Sequence, residues 1–250
     1  MPLIFLLSTT IAIFFAVHVV RTGREMYWLF ILLVFPFLGS VVYALAIYLP
    51  SLRNSSHAHK VKENLIRAVD PGRDVREARE RLMDVPSVQN RLKLAQTLLA
   101  AGDHAEAEEH FTAMLTGLNA DDPDILLGLA EAQLGNGKPA AALDSLTRLR
   151  AAHPDYQSAE GHLTYARALD ELDRGPEAER EYRALADYYP GVEPLCRLAL
   201  LLGRLGRQAE AQELFKDVQQ RLSRAPGHVR ARQKEWLDLA RQNLARGGAS

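Results

Sequence analysis

Two long apolar stretches open the chain. Leu3 to Val20 carries no formal charge, and neither does Tyr27 to Leu49, while the connection between them holds Arg21, Arg24 and Glu25. Each stretch is close to the ~20 residues that a bilayer-spanning helix needs. The pattern predicts a two-helix transmembrane hairpin over residues 1–50, with spans at about 3–20 and 27–49. A cleaved signal peptide is the competing reading of the first stretch, but no Lys or Arg precedes it and no A-x-A site follows. Ser51 to Lys60, SLRNSSHAHK, is polar and rich in turn formers, as expected of an exit from the membrane. Apolar residues then return at helical spacing: Leu65, Ala68 and Val69, and after Asp70-Pro71-Gly72, Val75, Ala78 and Leu82. Residues 51–87 therefore read as a linker with amino-terminal capping helices.

From residue 88 the pattern becomes periodic. Aligning GDHAEAEEHF (102–111), GKPAAALDSL (137–146), DRGPEAEREY (173–182) and GRQAEAQELF (206–215) puts Ala107, Ala142, Ala178 and Ala211 in register. Four residues after each alanine stands a large side chain, Phe111, Leu146, Tyr182 or Phe215. Twelve residues before each stands another alanine, Ala95, Ala130, Ala166 or Ala199. The successive spacings are 35, 36 and 33 residues. Small residues at two fixed sites let paired antiparallel helices approach closely, and the large residue one turn later fills the gap toward the next unit. Four units follow, at 88–121, 123–156, 159–192 and 192–225. Trp236, Leu237, Ala240 and Leu244 then form an apolar stripe, which makes 226–250 a capping helix and tail.

These four units resemble the tetratricopeptide repeat. Gly102, Gly137 and Gly206 occupy the turn between helices, with Asp173 in their place in the third unit, and Pro123, Pro154 and Pro190 stand around the junctions. The chain departs from the family where a first-helix aromatic is replaced by Arg91, Leu126, His162 and Leu195, and where Ser223 stands in place of a closing proline. The resemblance implies an all-α fold, a right-handed superhelical solenoid closed by a carboxyl-terminal capping helix, whose first helices line a groove for a protein or peptide partner. Gln96, Glu131 and Arg167 take the same position in successive units and, with Glu160 and Arg197, are the candidate partner contacts. The clamp that chaperone-binding members place on a terminal carboxylate is not matched by Lys93, Gly128 and Thr164 at the corresponding sites.

In the hairpin, Ser8, Ala12 and Ala16 form one small-residue face, and Gly39, Ser40 and Ala44 another, which suits close packing of the two helices. Pro36 is placed to kink the second span. Tyr27, Trp28, Tyr43 and Tyr48 are read as rings at the membrane interface, and His18 as an interfacial histidine. Trp28, Pro36, Gly39 and Tyr43 together resemble the amino-terminal membrane segment of bacterial cardiolipin synthases. None of the eight histidines is followed two positions later by lysine, so those synthases' H-x-K-x-x-x-x-D chemistry is absent and the likeness implies an anchor.

Charge narrows the field further. Of 30 Lys+Arg and 31 Asp+Glu, only Arg21, Arg24, Arg53 and Glu25 fall within residues 1–56, so the remainder is nearly neutral and shows no pull on nucleic acid. The turn carries Arg21 and Arg24, whereas the post-membrane flank carries Arg53, Lys60, Lys62 and Arg67. By the positive-inside rule the repeats face the cytoplasm, a periplasmic placement being the alternative. Cys196 is the only cysteine and reads as a packing residue, and His57 and His59 lack further ligands. No phosphate loop, H-E-x-x-H or G-x-S-x-G motif occurs, so neither enzyme activity nor a cofactor is expected. The layout resembles membrane-anchored repeat proteins that regulate envelope lipid or polysaccharide synthesis. It implies a non-catalytic scaffold at the bacterial inner membrane that binds proteins in its groove and lipid through residues 3–49. The alternative is an accessory subunit of an envelope lipid or polysaccharide enzyme, bound through the hairpin. Assembly into an oligomer is compatible with either.

Overall fold

The structure is a computed structural model that describes residues 12, 13, 15–17, 19–21, 27–44, 70 and 72–247. It divides into two compact units, residues 1–73 and 74–250. Ser8, His18 and Tyr48, the linker with His57 and His59, and the helical pattern around Leu65 lie outside the described residues.

In the first unit the helical residues between 12 and 21 pack against two helices, α1 (Tyr27–Val34) and α2 (Pro36–Tyr43). Phe15, Val19, Leu32 and Tyr43 form the buried centre, flanked by Ala16, Trp28, Leu29 and Ala44. Ala12 and Ser40 are also buried. The packing roles expected of Pro36 and Gly39 lie outside what is described, although both sit in the backbone of α2.

Two expectations change here. The apolar stretch from Tyr27 is a broken helix: Phe35 leaves helical geometry at φ −128° and ψ 73°, and Pro36 opens α2. A proline disfavours the helical conformation in the residue before it and lacks the amide that would continue the ladder. Two helices of eight described residues each result. Among the described residues no helix is long and apolar enough to cross a membrane. Tyr43, expected at an interface, is fully buried, with its ring 5.3 Å from those of both Phe15 and Trp28. Tilted and edge-on ring pairs at that distance are favourable, and they draw the tyrosine inward.

The second unit is a succession of paired helices. The helix α3 (Arg73–Asp84) packs Val75, Ala78 and Leu82 on the first pair, α4 (Val88–Ala101) and α5 (His104–Met114). Three further pairs follow, α6 (Pro123–Gly135) with α7 (Pro139–Ala152), α8 (Ala159–Glu171) with α9 (Gly175–Tyr188), and α10 (Glu193–Arg204) with α11 (Gln208–Arg224). The short α12 (Gly227–Arg232) leads to α13 (Lys234–Gly247), which buries Leu237 and Ala240 over the last pair.

Local chemistry fixes where the first helices begin and end. Ser87 and Ser158 accept hydrogen bonds from the amides of Asn90 (3.2 Å) and Gly161 (3.0 Å), and Asp122 does so for Asp124 and Ile125 just before Pro123. These are N-caps, worth ~1 kcal/mol each. All four helix ends close identically: the amides of Asp103, Lys138, Arg174 and Arg207 reach back to the carbonyls of Leu98, Gln133, Leu169 and Leu202 at 2.9–3.0 Å. That closure requires a left-handed residue between helix and amide. It is supplied by Gly102 (φ 84°), Gly137 (φ 70°), Asp173 (φ 57°) and Gly206 (φ 81°).

Between helices the small residues are sealed in. Ala95, Ala107, Ala130, Ala142, Ala166, Ala178 and Ala199 have no exposure, and Ala211 has 2%. Phe111, Leu146, Tyr182 and Phe215 are buried beside them. The Phe111 ring lies against Gly128 of the next unit so closely that a Cβ there would stand 2.3 Å from it. The repeat therefore continues by fitting a large side chain from one pair onto a small one in the next.

Candidate functional site: the face of the first helices

Neighbouring first helices touch directly, α4 with α6 and α6 with α8, so side chains one repeat apart share a surface. Three of the five sequence-predicted contacts meet there. Glu131 on α6 is half-buried, and no hydrogen bond or ion pair reaches its carboxylate among the described residues. Burial pushes its pKa above the ordinary carboxylate value, the nearby Glu160 pushes it further, and Arg167 opposes both. Glu160, in the first turn of α8, accepts a hydrogen bond from the Tyr189 hydroxyl at 3.1 Å. About two turns further along α8, Arg167 is half-buried, and its Nε is buried without a hydrogen-bond partner.

The other two stand apart from this centre. Gln96 is exposed on α4. Arg197 on α10 donates from Nε to Glu193 at 2.6 Å, and its guanidinium lies 5.3 Å from the centre of the Trp236 ring. An arginine over an indole face is held by cation–π attraction, so the capping helix extends this face.

Sequence reasoning missed the tyrosines. Tyr156 donates to Asp124 at 3.5 Å, and its pKa is raised by burial, then by Asp124 and Glu131. Tyr189 is raised by burial and by Glu160, with Arg197 opposing. Tyr156 and Tyr189 lie 33 residues apart, one repeat, in the connections before α8 and α10. That equal spacing was the available signal.

A second concavity, of about 560 Å³, opens between α7 and α8 and is lined by Leu146, Leu149, Arg150, Tyr156, His162, Tyr165 and Tyr188 among others. Arg150 lies 5.0 Å over the Tyr165 ring. His162, at the site of a family aromatic, stacks on Tyr188 and bonds Glu181 at 2.7 Å, so its ring keeps the packing role.

Elsewhere the units are tied by ion pairs in alternation. Lys138 reaches Glu108 at 2.9 Å, and two units later Arg207 reaches Glu179 at 2.8 Å, each pair joining the position after the turn to the one after the buried alanine. Burial works against the Glu108 carboxylate, but hydrogen bonds from Asn136 and Lys138 outweigh it, leaving its pKa below the ordinary value. Cys196 is fully buried beneath the face, where burial pushes its thiol up to about 12.

Among the described residues, stacked helix pairs with identical closures, and two buried clusters that both pack against Leu115, define an all-α repeat solenoid. Two stretches of it match the tetratricopeptide repeat. Tetratricopeptide-repeat family profiles match residues 98–160 and 192–216. Among solved structures, MamA 41-end from Desulfovibrio magneticus RS-1 is 18% identical, with a TM-score of 0.53 over 67% of this chain and 95% of that one. A MamA RS-1 double mutant is also 18% identical, with a TM-score of 0.51 over 65% and 90%. TTC0263, a thermophilic tetratricopeptide-repeat protein of Thermus thermophilus, is 22% identical with a TM-score of 0.49 over 65% and 88%. No curated protein sequence matches the chain. Tetratricopeptide-repeat proteins are generally scaffolds for protein interaction, and their fold is typically non-catalytic. Neither profile reaches residues 1–50, and the comparisons do not support the expected likeness to the cardiolipin-synthase membrane segment.

Proposed function

We propose that this chain is a non-catalytic scaffold, held at the bacterial inner membrane by its hairpin, that binds a protein partner on the face of its first helices. The observation that carries the binding role is the gathering of Glu131, Glu160 and Arg167 there, with the Glu131 carboxylate and the Arg167 Nε left without hydrogen bonds. Of the two only the Arg167 Nε is a buried atom; buried polar groups are normally satisfied, and a partner is the means of satisfying it.

Anchoring is supported by the outside of the hairpin. Phe30, Leu33, Leu38 and Val20 are between 63% and 80% exposed, while Tyr43 and Ser40 face inward. Apolar groups outside and the polar hydroxyls inside is the arrangement lipid favours. The two-helix break at Phe35 is compatible with lipid because neighbouring helices can shield the freed backbone groups. The four cations Arg53, Lys60, Lys62 and Arg67 of the flank, against Arg21 and Arg24 in the turn, favour a cytoplasmic side for the repeats.

The test is fractionation and pull-down with the full chain and with residues 57–250. The full chain is expected in the carbonate-resistant membrane fraction, and the shorter chain is expected to leave it yet retain the same partners. Partners lost with the hairpin would overturn the scaffold reading and favour an accessory subunit bound through the membrane segment. A full chain extracted by carbonate would overturn the anchor.

A further inference from the structure

Around Glu131 and Glu160 the face of the first helices has an excess of negative charge, although α4 also presents the exposed Lys93 and Asp170 is paired with Arg204. Asp124, Glu131, Glu160 and Glu193 are countered there by Arg167 and Arg197. These charges are not equally available. Arg197 is engaged with Glu193, and the phenols of Tyr156 and Tyr189 donate to Asp124 and Glu160 without neutralising them. Glu131 is left with two influences of opposite sign, Glu160 and Arg167, and no ion pair with either. A half-buried carboxylate in this setting is costly, and a cation brought by a ligand relieves the penalty at Glu131.

We propose that this face receives a basic peptide segment of a partner, one lysine or arginine of which seats between Glu131 and Glu160. The proposal rests on the scaffold reading and adds the chemistry of the partner. An ammonium offers three donors and a guanidinium five, enough to engage two carboxylates at once. The charges that could receive an acidic segment do not do so equally well: the charge of Arg167 is within electrostatic reach of the Glu131 carboxylate, and Arg197 is already held by Glu193 and Trp236. Tyr156 and Tyr189, one repeat apart, each hydrogen-bond one of the acids, Asp124 and Glu160.

The experiment measures fluorescence anisotropy of labelled eight-residue peptides with the full chain in a neutral detergent. One peptide alternates lysine with alanine and the other glutamate with alanine. The lysine peptide is expected to bind and the glutamate peptide not to. Glu131→Gln/Glu160→Gln should weaken binding by about tenfold or more, since close charge pairs across interfaces couple by more than 1 kcal/mol. Glu109→Gln/Glu213→Gln, two exposed acids on second helices, should leave it unchanged. Equal weakening by both double variants, preference for the glutamate peptide, or no binding to the lysine peptide would each overturn the proposal. Retention of a partner by residues 57–250 despite that failure would leave the scaffold reading standing, so the two are separable. Circular dichroism of each variant, expected to match the parent, excludes unfolding as the cause.

Discussion

Replacing Gly137 by alanine isolates one determinant of the repeat, the left-handed turn. Gly137 has φ 70°, and a Cβ added there meets nothing within 4 Å. The substitution is therefore free of collision and acts through backbone conformation alone. A left-handed residue with a Cβ is disfavoured by about 1–2 kcal/mol. Alanine restricts the unfolded chain and returns about 0.4–1 kcal/mol of that. The net expectation is a loss of about 1 kcal/mol, read as a lower urea midpoint with an unchanged slope in circular dichroism. Gly102→Ala and Gly206→Ala should behave alike, because they too have positive φ and open surroundings. Asp173→Gly is the reciprocal experiment: φ is 57°, and aspartate tolerates the region better than alanine, so a gain of a few tenths of a kcal/mol is expected. A neutral Gly137→Ala together with a destabilising Asp173→Gly would refute the reasoning.

Five other outcomes follow from the packing and the charges. Phe111→Ala should destabilise by about 3–5 kcal/mol, and Gly128→Ala by about 1–3 kcal/mol through overpacking against the same ring, as measured by urea unfolding. Glu131→Gln should stabilise the fold at pH 7: its raised pKa means the native state holds that proton more tightly, so stability falls as pH rises through the native value, and the variant's advantage should vanish below the unfolded value. Glu108→Gln should do the reverse, losing up to ~1 kcal/mol at neutral pH and nothing once pH falls below the native value, which lies under the ordinary carboxylate range. The Cys196 thiol, buried and pushed up to about 12, should react with a disulfide reagent only after denaturant is added, which a colorimetric thiol titration follows.

The repeats were legible because their determinants are local or recur at fixed spacing. A positive-φ closure demands glycine or a substitute, and two helices in close contact demand alanine, so Gly102, Gly137, Gly206 and the eight alanines signal the fold. The long α11 was less legible. With no proline before Pro226, the helix runs to Arg224, and the cap is divided between α12 and α13. In the hairpin, Pro36 announced a disturbance but not its size, because a kink and a break share the same sequence signal. Register alone put Gln96, Glu131 and Arg167 on equivalent positions, and the structure joins only the last two, with Glu160. The contributions of Tyr156 and Tyr189 depend on how one pair of helices stacks on the next, which no single repeat encodes.

The central claim is that a partner binds the first-helix face while the hairpin holds the chain at the membrane. Site-specific photocrosslinking in intact membranes tests it most directly, with the reactive side chain placed at Arg167 in one version and at exposed Lys216, on the second helix α11, in another. The account predicts a discrete adduct from position 167, lost when excess lysine–alanine peptide is added, and no adduct from position 216. Adducts from position 216 alone, or equally from both, would contradict it.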